Sequence, residues 1–172
     1  MSKGHSMKRC LTAFLISGAV ALFTAGAAPA QSPNKIIGTW RMVSAQIDPQ
    51  GENRPAYGPN PHGWLVFTEE LTFIEVLTDP RVPKFASDVR GRGTDEENRA
   101  AVAGSIGFFG RYTVDADGEF SGNRVEGSTF PNWVGHARTR EQLRMIVDGD
   151  QMTEYFRRPE GTEIRIVWER VK

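Results

Sequence analysis

Short segments that alternate apolar and polar residues, each ended by a turn signal, recur along the chain from Ile36 to Val171. Segments with this length and spacing are typical of an antiparallel barrel or sandwich, because each turn returns the chain beside the strand it has just left. The sequence therefore predicts an all-β fold of eight antiparallel strands. These strands are Ile36–Ile47, Trp64–Thr68, Leu71–Thr78, Gly107–Val114, Phe120–Ser128, Thr139–Val147, Gln151–Phe156 and Glu163–Val171.

One segment departs from the β pattern. Thr94-Asp-Glu-Glu97 has the spacing of a capping box, in which the Thr94 hydroxyl and the Glu97 carboxylate each accept from the other residue's backbone N–H. Small helix-forming residues follow. We expect one short helix, Asp95–Ser105, between the third and fourth strands, where it could cover an open end of the barrel.

The N-terminus has the three-part pattern of a secretory signal: a basic start, an apolar run over Leu11–Phe23, and the small residues Ala28-Pro-Ala30. A membrane anchor is the alternative, but the apolar run is shorter than the ~20 residues that a span needs. We expect residues 1–30 to be a signal peptide and residues 31–172 to form one domain, exported to the periplasm or outside the cell. No stable membrane insertion is expected after cleavage.

Charge and motif content exclude several functions. The 21 Lys and Arg residues balance 21 Asp and Glu residues, so the chain lacks the basic surface that nucleic-acid binding requires. The chain has one cysteine, Cys10, and beyond residue 30 it has two histidines, His62 and His136. Their spacing does not match that of metal ligands, so we expect no metal site. Nucleophile and phosphate-binding motifs are also missing from the sequence, so we expect no cofactor.

Several motifs occur in a fixed order. They are Gly38-Thr-Trp40, Tyr57-Gly-Pro-Asn-Pro-His-Gly63, Pro83-Lys-Phe-Ala86, Phe109-Gly-Arg-Tyr-Thr-Val-Asp115, Val125-Glu-Gly-Ser-Thr-Phe-Pro-Asn-Trp-Val-Gly135, Asp148-Gly-Asp150 and Trp168-Glu-Arg170. Together they resemble the bacterial and fungal lipocalin-like domain family over nearly all of Ile36–Val171. The resemblance implies a small closed barrel with a central cavity. It leaves both ligand binding and an isomerase or cyclase activity open, since members occur as lone secreted domains and beside biosynthetic genes.

The same resemblance implies a structural role for Trp40. In lipocalins the tryptophan of the G-x-W motif packs under a basic side chain near the end of the chain, and Arg170 is the candidate here. We therefore expect Trp40 and Arg170 to plug one end of the barrel through a cation–π contact.

Polar and aromatic residues in three places are candidates for the cavity. Tyr57 begins a proline-rich loop that could close over a barrel end, and Asn132 and Trp133 either cap the rim or line the mouth. Glu126 and Ser128 share a strand face with Arg124, which is either solvated exterior or a polar cluster inside the barrel. One further stripe, Arg138, Arg140 and Arg144, is either solvated or supplies one inward arginine to a ligand carboxylate.

Large inward residues and small ones such as Gly110 decide whether the interior has room for a ligand. The large candidates are Met42, Phe73, Phe108, Tyr112 and Met145. The leading prediction is that the barrel binds a small, largely apolar or amphiphilic molecule. An isomerase or cyclase using Glu126 and Tyr112, and a structural domain with a solid core, are the alternatives. The predicted ligand-binding residues are Tyr57, Phe108, Tyr112, Glu126, Ser128, Asn132 and Trp133.

Overall fold

The computed structural model describes Met1 and residues 33–172, which contain ten strands, one α-helix and a single 3-10 turn at Pro131–Trp133. The strands are β1 (Gly38–Ile47), β2 (Arg54–Pro55), β3 (His62–Phe67), β4 (Thr72–Thr78), β5 (Ser105–Val114), β6 (Phe120–Ser128), β7 (Ala137–Thr139), β8 (Leu143–Asp148), β9 (Gln151–Arg157) and β10 (Glu163–Arg170). The helix, α1, is Asp95–Ala103.

All strand pairs are antiparallel, and the sheet runs in the order β7-β6-β5-β4-β3-β1-β10-β9-β8, with β2 added to β1. The two ends of this path, β7 and β8, are consecutive in the chain and joined by a short turn at 140–142. The sheet therefore curls into a nearly closed barrel. The predicted all-β antiparallel barrel with one short helix is confirmed.

The number of strands differs from the predicted eight. The segment predicted as one strand, Thr139–Val147, is interrupted by a turn in which the Gln142 N–H donates to the Thr139 carbonyl at 3.0 Å. This turn separates β7 from β8. The loop after β1 also contributes β2, because its chain runs back beside β1 and the Ala56 N–H donates to the Ala45 carbonyl at 2.9 Å.

Helix α1 begins as predicted. Thr94 accepts from the Glu97 N–H at 3.2 Å, and Glu97 accepts from the Thr94 N–H at 2.8 Å, which completes the capping box. The helix ends at Ala103 rather than at Ser105, because Gly104 forms the C-cap and Ser105 is already paired with Thr78 across β4 and β5.

Strand alternation fills most of the barrel with large side chains. All five large residues predicted to point inward are buried. The small residue Gly110 does not leave the room predicted for it: a Cβ there would lie 2.0 Å from the Arg124 carbonyl oxygen, so this glycine permits close approach of β5 and β6. The space inside the barrel lies elsewhere.

The predicted signal peptide, residues 1–30, lies outside the described residues except for Met1. Within the part of the chain that the structure describes, α1 is too short and too polar to cross a membrane, and no other helix there could do so.

Candidate functional site

One end of the barrel is closed by Trp40, which is fully buried near the start of β1. Its indole N–H donates to the Ile36 carbonyl at 2.9 Å, and the Arg170 guanidinium lies 4.0 Å from its ring centroid. Trp40 and Arg170 are register partners on adjacent strands, so both side chains project from the same face of the sheet. This geometry is the contact that the G-x-W motif predicts.

Gly38 is required for that arrangement. Its φ of +130° is a conformation that L side chains rarely adopt, and a Cβ at this position would lie 2.7 Å from Arg170 Nη1. The guanidinium passes over Gly38 to donate to the Ile37 and Lys35 carbonyls. The glycine and the tryptophan of the motif thus serve one purpose, which is to seat Arg170 across the barrel end.

Tyr112 also lies at this closed end. Its hydroxyl donates to the Thr68 carbonyl at 2.7 Å and accepts from the Asn34 side chain at 2.8 Å. Because both partners are protein groups, the hydroxyl is occupied in holding the loop after β3 and the segment before β1. Tyr112 lines neither of the cavities described below.

The opposite end of the barrel opens into a cavity of about 520 Å³, which we call the outer cavity. Its walls come from the C-terminal part of α1, the start of β5, the 3-10 turn and the segment after β9. The lining includes Ala101, Val102, Ile106, Phe130, Trp133 and Arg158. Val102 and Phe130 are exposed, so the outer cavity meets solvent at its rim.

A smaller space of about 130 Å³, the inner chamber, lies deeper in the barrel. It shares part of its wall with the outer cavity. The shared residues are Tyr57, Ala103, Ile106, Trp133, Phe156 and Arg158. The two spaces are therefore adjacent, and these residues form the neck between them.

Two carboxyl groups face the inner chamber. Glu75 occupies an inward position of β4, between Phe73 and Leu77, and Glu154 occupies an inward position of β9. Both residues are more than 95% buried. Glu154 Oε2 accepts a hydrogen bond of 3.0 Å from the Trp168 indole N–H.

Arg138, on β7, is the third charged group of the inner chamber. It is 7% exposed, and its guanidinium lies 4.5 Å from the ring centroid of Trp133, 4.7 Å from that of Phe156 and 5.1 Å from that of Phe108. Aromatic faces attract a cation, but they supply no lone pair in the plane of the N–H groups. The buried Nη2 of Arg138 has no hydrogen-bond partner among the described residues.

Burial shifts the pKa values of the two acids upward, and the charge of Glu154 adds to the shift at Glu75. Burial, together with the charge of Glu154, holds the pKa of Glu75 well above its usual range despite the attraction of Arg138. Burial raises the pKa of Glu154 to about 7, and the Trp168 hydrogen bond and Arg138 oppose this shift. Burial likewise raises the pKa of the Tyr57 hydroxyl and lowers that of Arg138. Both shifts favour the protonated, uncharged carboxyl groups, and near pH 7 Glu154 is partly ionised.

Three of the predicted ligand-binding residues are brought together. Tyr57 and Trp133 lie at the neck, and Phe108 lines the inner chamber. Trp133 is half-buried, with its ring 5.2 Å from Phe108 and 6.1 Å from Phe156 in edge-on contacts. The three predicted residues come from a loop, a 3-10 turn and a strand, which only the folded barrel places side by side.

The remaining predicted residues lie away from both cavities. Glu126 is on the outer face of β6, where it pairs with Arg111 at 3.4 Å. The Ser128 hydroxyl accepts from the Phe130 N–H at 3.0 Å, and Asn132 is exposed. Of the two alternatives for the face of Glu126, the structure has the solvated exterior.

The three charged residues of the chamber were not among the predicted binding residues. Glu75 lies between Phe73 and Leu77 on the inward face of β4, where alternation predicts an apolar residue. This charged residue at an apolar position is the signal in the sequence that points to the chamber. Arg138 did belong to the predicted arginine stripe. It turns inward, whereas Arg140 binds Asp115 and the Phe120 carbonyl, and Arg144 packs on Tyr155 outside the barrel.

Within the described residues, no group of three or more His, Cys, Asp or Glu side chains could hold a metal ion. A search of curated proteins found no match. The model of the lipocalin-like domain family matches residues 37–171, a range that includes the whole barrel from β1 to β10. The chain therefore belongs to the lipocalin-like domain family.

Proposed function

We propose that this protein binds one small, largely apolar molecule inside its barrel. The observation that carries the proposal is the outer cavity of about 520 Å³ and the inner chamber of about 130 Å³ beyond it. Sites for small molecules occupy roughly 300–1,000 Å³. The lipocalin-like barrel is a fold suited to such binding, and its open end is the end that carries these cavities.

The lining supports an apolar ligand body. Ala101, Val102, Ile106, Phe130 and Trp133 contribute aliphatic and aromatic surface to the outer cavity. Burying apolar surface of a ligand against such walls contributes roughly 25 cal/mol per Å². The buried charged residues Glu75, Arg138 and Glu154 line the inner chamber, so an amphiphile would bind with its polar group inward.

A neutral fluorescent probe tests this proposal directly. N-Phenyl-1-naphthylamine should bind at one site per chain, with increased fluorescence. Ile106→Trp places a larger side chain at the neck and should weaken probe binding at least tenfold. Ile74→Trp is the matched control, because Ile74 is 55% exposed on the outer face of the neighbouring strand and the same substitution there leaves the cavities unchanged.

Two results would contradict the proposal. One is a folded wild-type protein that binds no probe, and the other is a folded Ile106→Trp variant that binds it as tightly as the control does. Mass spectrometry of molecules that copurify with the protein from its host would identify the natural ligand.

The acids of the inner chamber favour a second candidate function, an isomerase or cyclase that moves a proton on the bound molecule. A general base works best when its pKa is near the working pH, and that of Glu154 is about 7. Ionised Glu154 would remove a proton from carbon, and neutral Glu75 would return one at another position. This assignment replaces Glu126 and Tyr112, which lie outside the cavities.

Solvent exchange distinguishes the enzyme from the carrier. If Glu154 removes carbon-bound protons, a copurified ligand incubated with wild-type protein in D₂O should gain deuterium at carbon. The Glu154→Gln variant should not support this exchange. A ligand that binds but gains no carbon-bound deuterium would indicate a carrier only.

We also propose that binding takes place outside the cytoplasm. The support is the basic start, the apolar run and the small residues Ala28-Pro-Ala30 at the N-terminus.

A further inference from the structure

The guanidinium of Arg138 is buried with an unsatisfied hydrogen-bond donor. Its Nη2 has no hydrogen-bond partner, although Glu75 and Glu154 face the same chamber and their charges act on the guanidinium. Burying a charge is costly unless it is paired and hydrogen-bonded. The three aromatic rings offset only part of this cost, because they cover the faces of the guanidinium and leave its N–H edge unpaired.

The other polar groups of the inner chamber are mainly hydrogen-bond donors. The Tyr57 phenol stays protonated because burial raises its pKa, and burial also favours the protonated form of Glu75, which carries an O–H. Arg138 has donors only. At the neck, Arg158 adds a guanidinium whose Nε is buried without a partner, while its Nη1 lies 3.8 Å from Glu160.

We propose that the inner chamber binds a carboxylate group of the ligand, with Arg138 as its cationic partner and Glu75 and Tyr57 as further donors. This inference rests on the proposed binding function and specifies the ligand as an amphiphilic carboxylic acid. A carboxylate has only acceptor atoms and a planar pair of oxygens, which matches the fork of N–H groups on a guanidinium.

An amine is the less compatible head group. A protonated amine would have to enter beside Arg138 and pass Arg158, and it would find few acceptors while Glu75 is neutral. A carboxylate instead balances the charge of Arg138, with Glu75 and Glu154 both protonated. Its hydrocarbon body would then extend through the neck into the outer cavity, along Ile106 and Trp133.

This arrangement links binding to proton uptake. The titratable and charged groups that face the site are Glu75 on β4, Arg138 on β7, Glu154 on β9, Tyr57 before β3, and Arg158 with Glu160 after β9. Of these, Glu154 is the one partly ionised near pH 7, so a bound carboxylate favours its protonated form. Affinity for a carboxylate should therefore fall as pH rises above 7, by up to about tenfold per pH unit for one proton.

Displacement of N-phenyl-1-naphthylamine by decanoate and by decanamide tests the inference, because the two competitors share the same chain and differ in charge. At pH 7 we expect decanoate to bind at least tenfold more tightly than decanamide. Arg138→Met should reduce this preference to about twofold or less. Arg144→Met is the matched control, since Arg144 also stacks on a ring but lies on the outer face of β8.

The pH profile provides a readout that does not depend on the arginine variant folding. Between pH 7.5 and 8.5, decanoate affinity should fall by up to about tenfold in the wild type, and this dependence should be weaker in Glu154→Gln. Decanamide affinity should not vary in the same range.

Each contrary outcome has a distinct meaning. If decanamide competes as well as decanoate, or if the probe binds and neither compound displaces it, the carboxylate site is wrong and the apolar binding function stands. If the arginine control changes the preference as much as Arg138→Met does, Arg138 is not the partner. Failure of the probe itself to bind contradicts the proposed function instead.

Discussion

Replacing Trp40 with alanine removes the largest fully buried side chain at the closed end of the barrel. Truncating a buried tryptophan to alanine costs about 3–5 kcal/mol, from lost burial and from the cavity that remains. The Ile36 carbonyl would also lose its 2.9 Å hydrogen bond, and Arg170 would lose the ring 4.0 Å away. These losses place the expected effect in the upper half of that range, about 4–5 kcal/mol.

Urea denaturation followed by circular dichroism measures this effect. With a slope of about 1.5–2 kcal/mol per molar urea, the midpoint should fall by about 2–3 M. Trp64→Ala is the matched control, because Trp64 lies on the adjacent strand β3 and is 50% exposed. Its midpoint should change by less than about 0.7 M, corresponding to roughly 1 kcal/mol. Equal midpoint shifts for the two variants would refute the assignment of Trp40 as the plug.

Three further predictions follow from the sequence and the structure. Intact mass of protein recovered from its host should correspond to a chain beginning at Gln31, and recovery of only the full-length chain from the cytoplasm would contradict export. Gly38→Ala should lower stability by about 1–3 kcal/mol in urea denaturation, because φ is +130° and the new Cβ would approach Arg170 Nη1; an unchanged midpoint would count against this account of the motif. Because the pKa of Glu154 rises on folding from 4.5 to about 7, the folded state binds the extra proton, so thermal stability should decrease from pH 5 to pH 8 by on the order of 3 kcal/mol. Glu154→Gln should make that profile shallower, with Glu75 supplying the remaining slope, and a variant with the wild-type slope would exclude Glu154 as a source.

Local signals in the sequence determined the elements of this protein. The capping box at Thr94 and Glu97 predicted the start of α1, because both of its hydrogen bonds lie within four consecutive residues. Alternation predicted the strands, since side chains of a strand project to opposite faces in turn. The motif at Gly38 and Trp40 predicted the contact with Arg170 through resemblance, and the structure supplies its reason in the space over the glycine.

Only the tertiary structure decided which polar residues enter the barrel. Alternation separates the two faces of a strand, but it does not say which face is inside when both carry polar residues, as around Glu126. The turn at 140–142 determined which arginine of the predicted stripe points into the barrel. It divides the predicted strand into β7 and β8, so that Arg138 points inward and Arg144 points outward. Glu75 and Glu154 are 79 positions apart, and their common chamber arises from barrel closure, which no local pattern encodes.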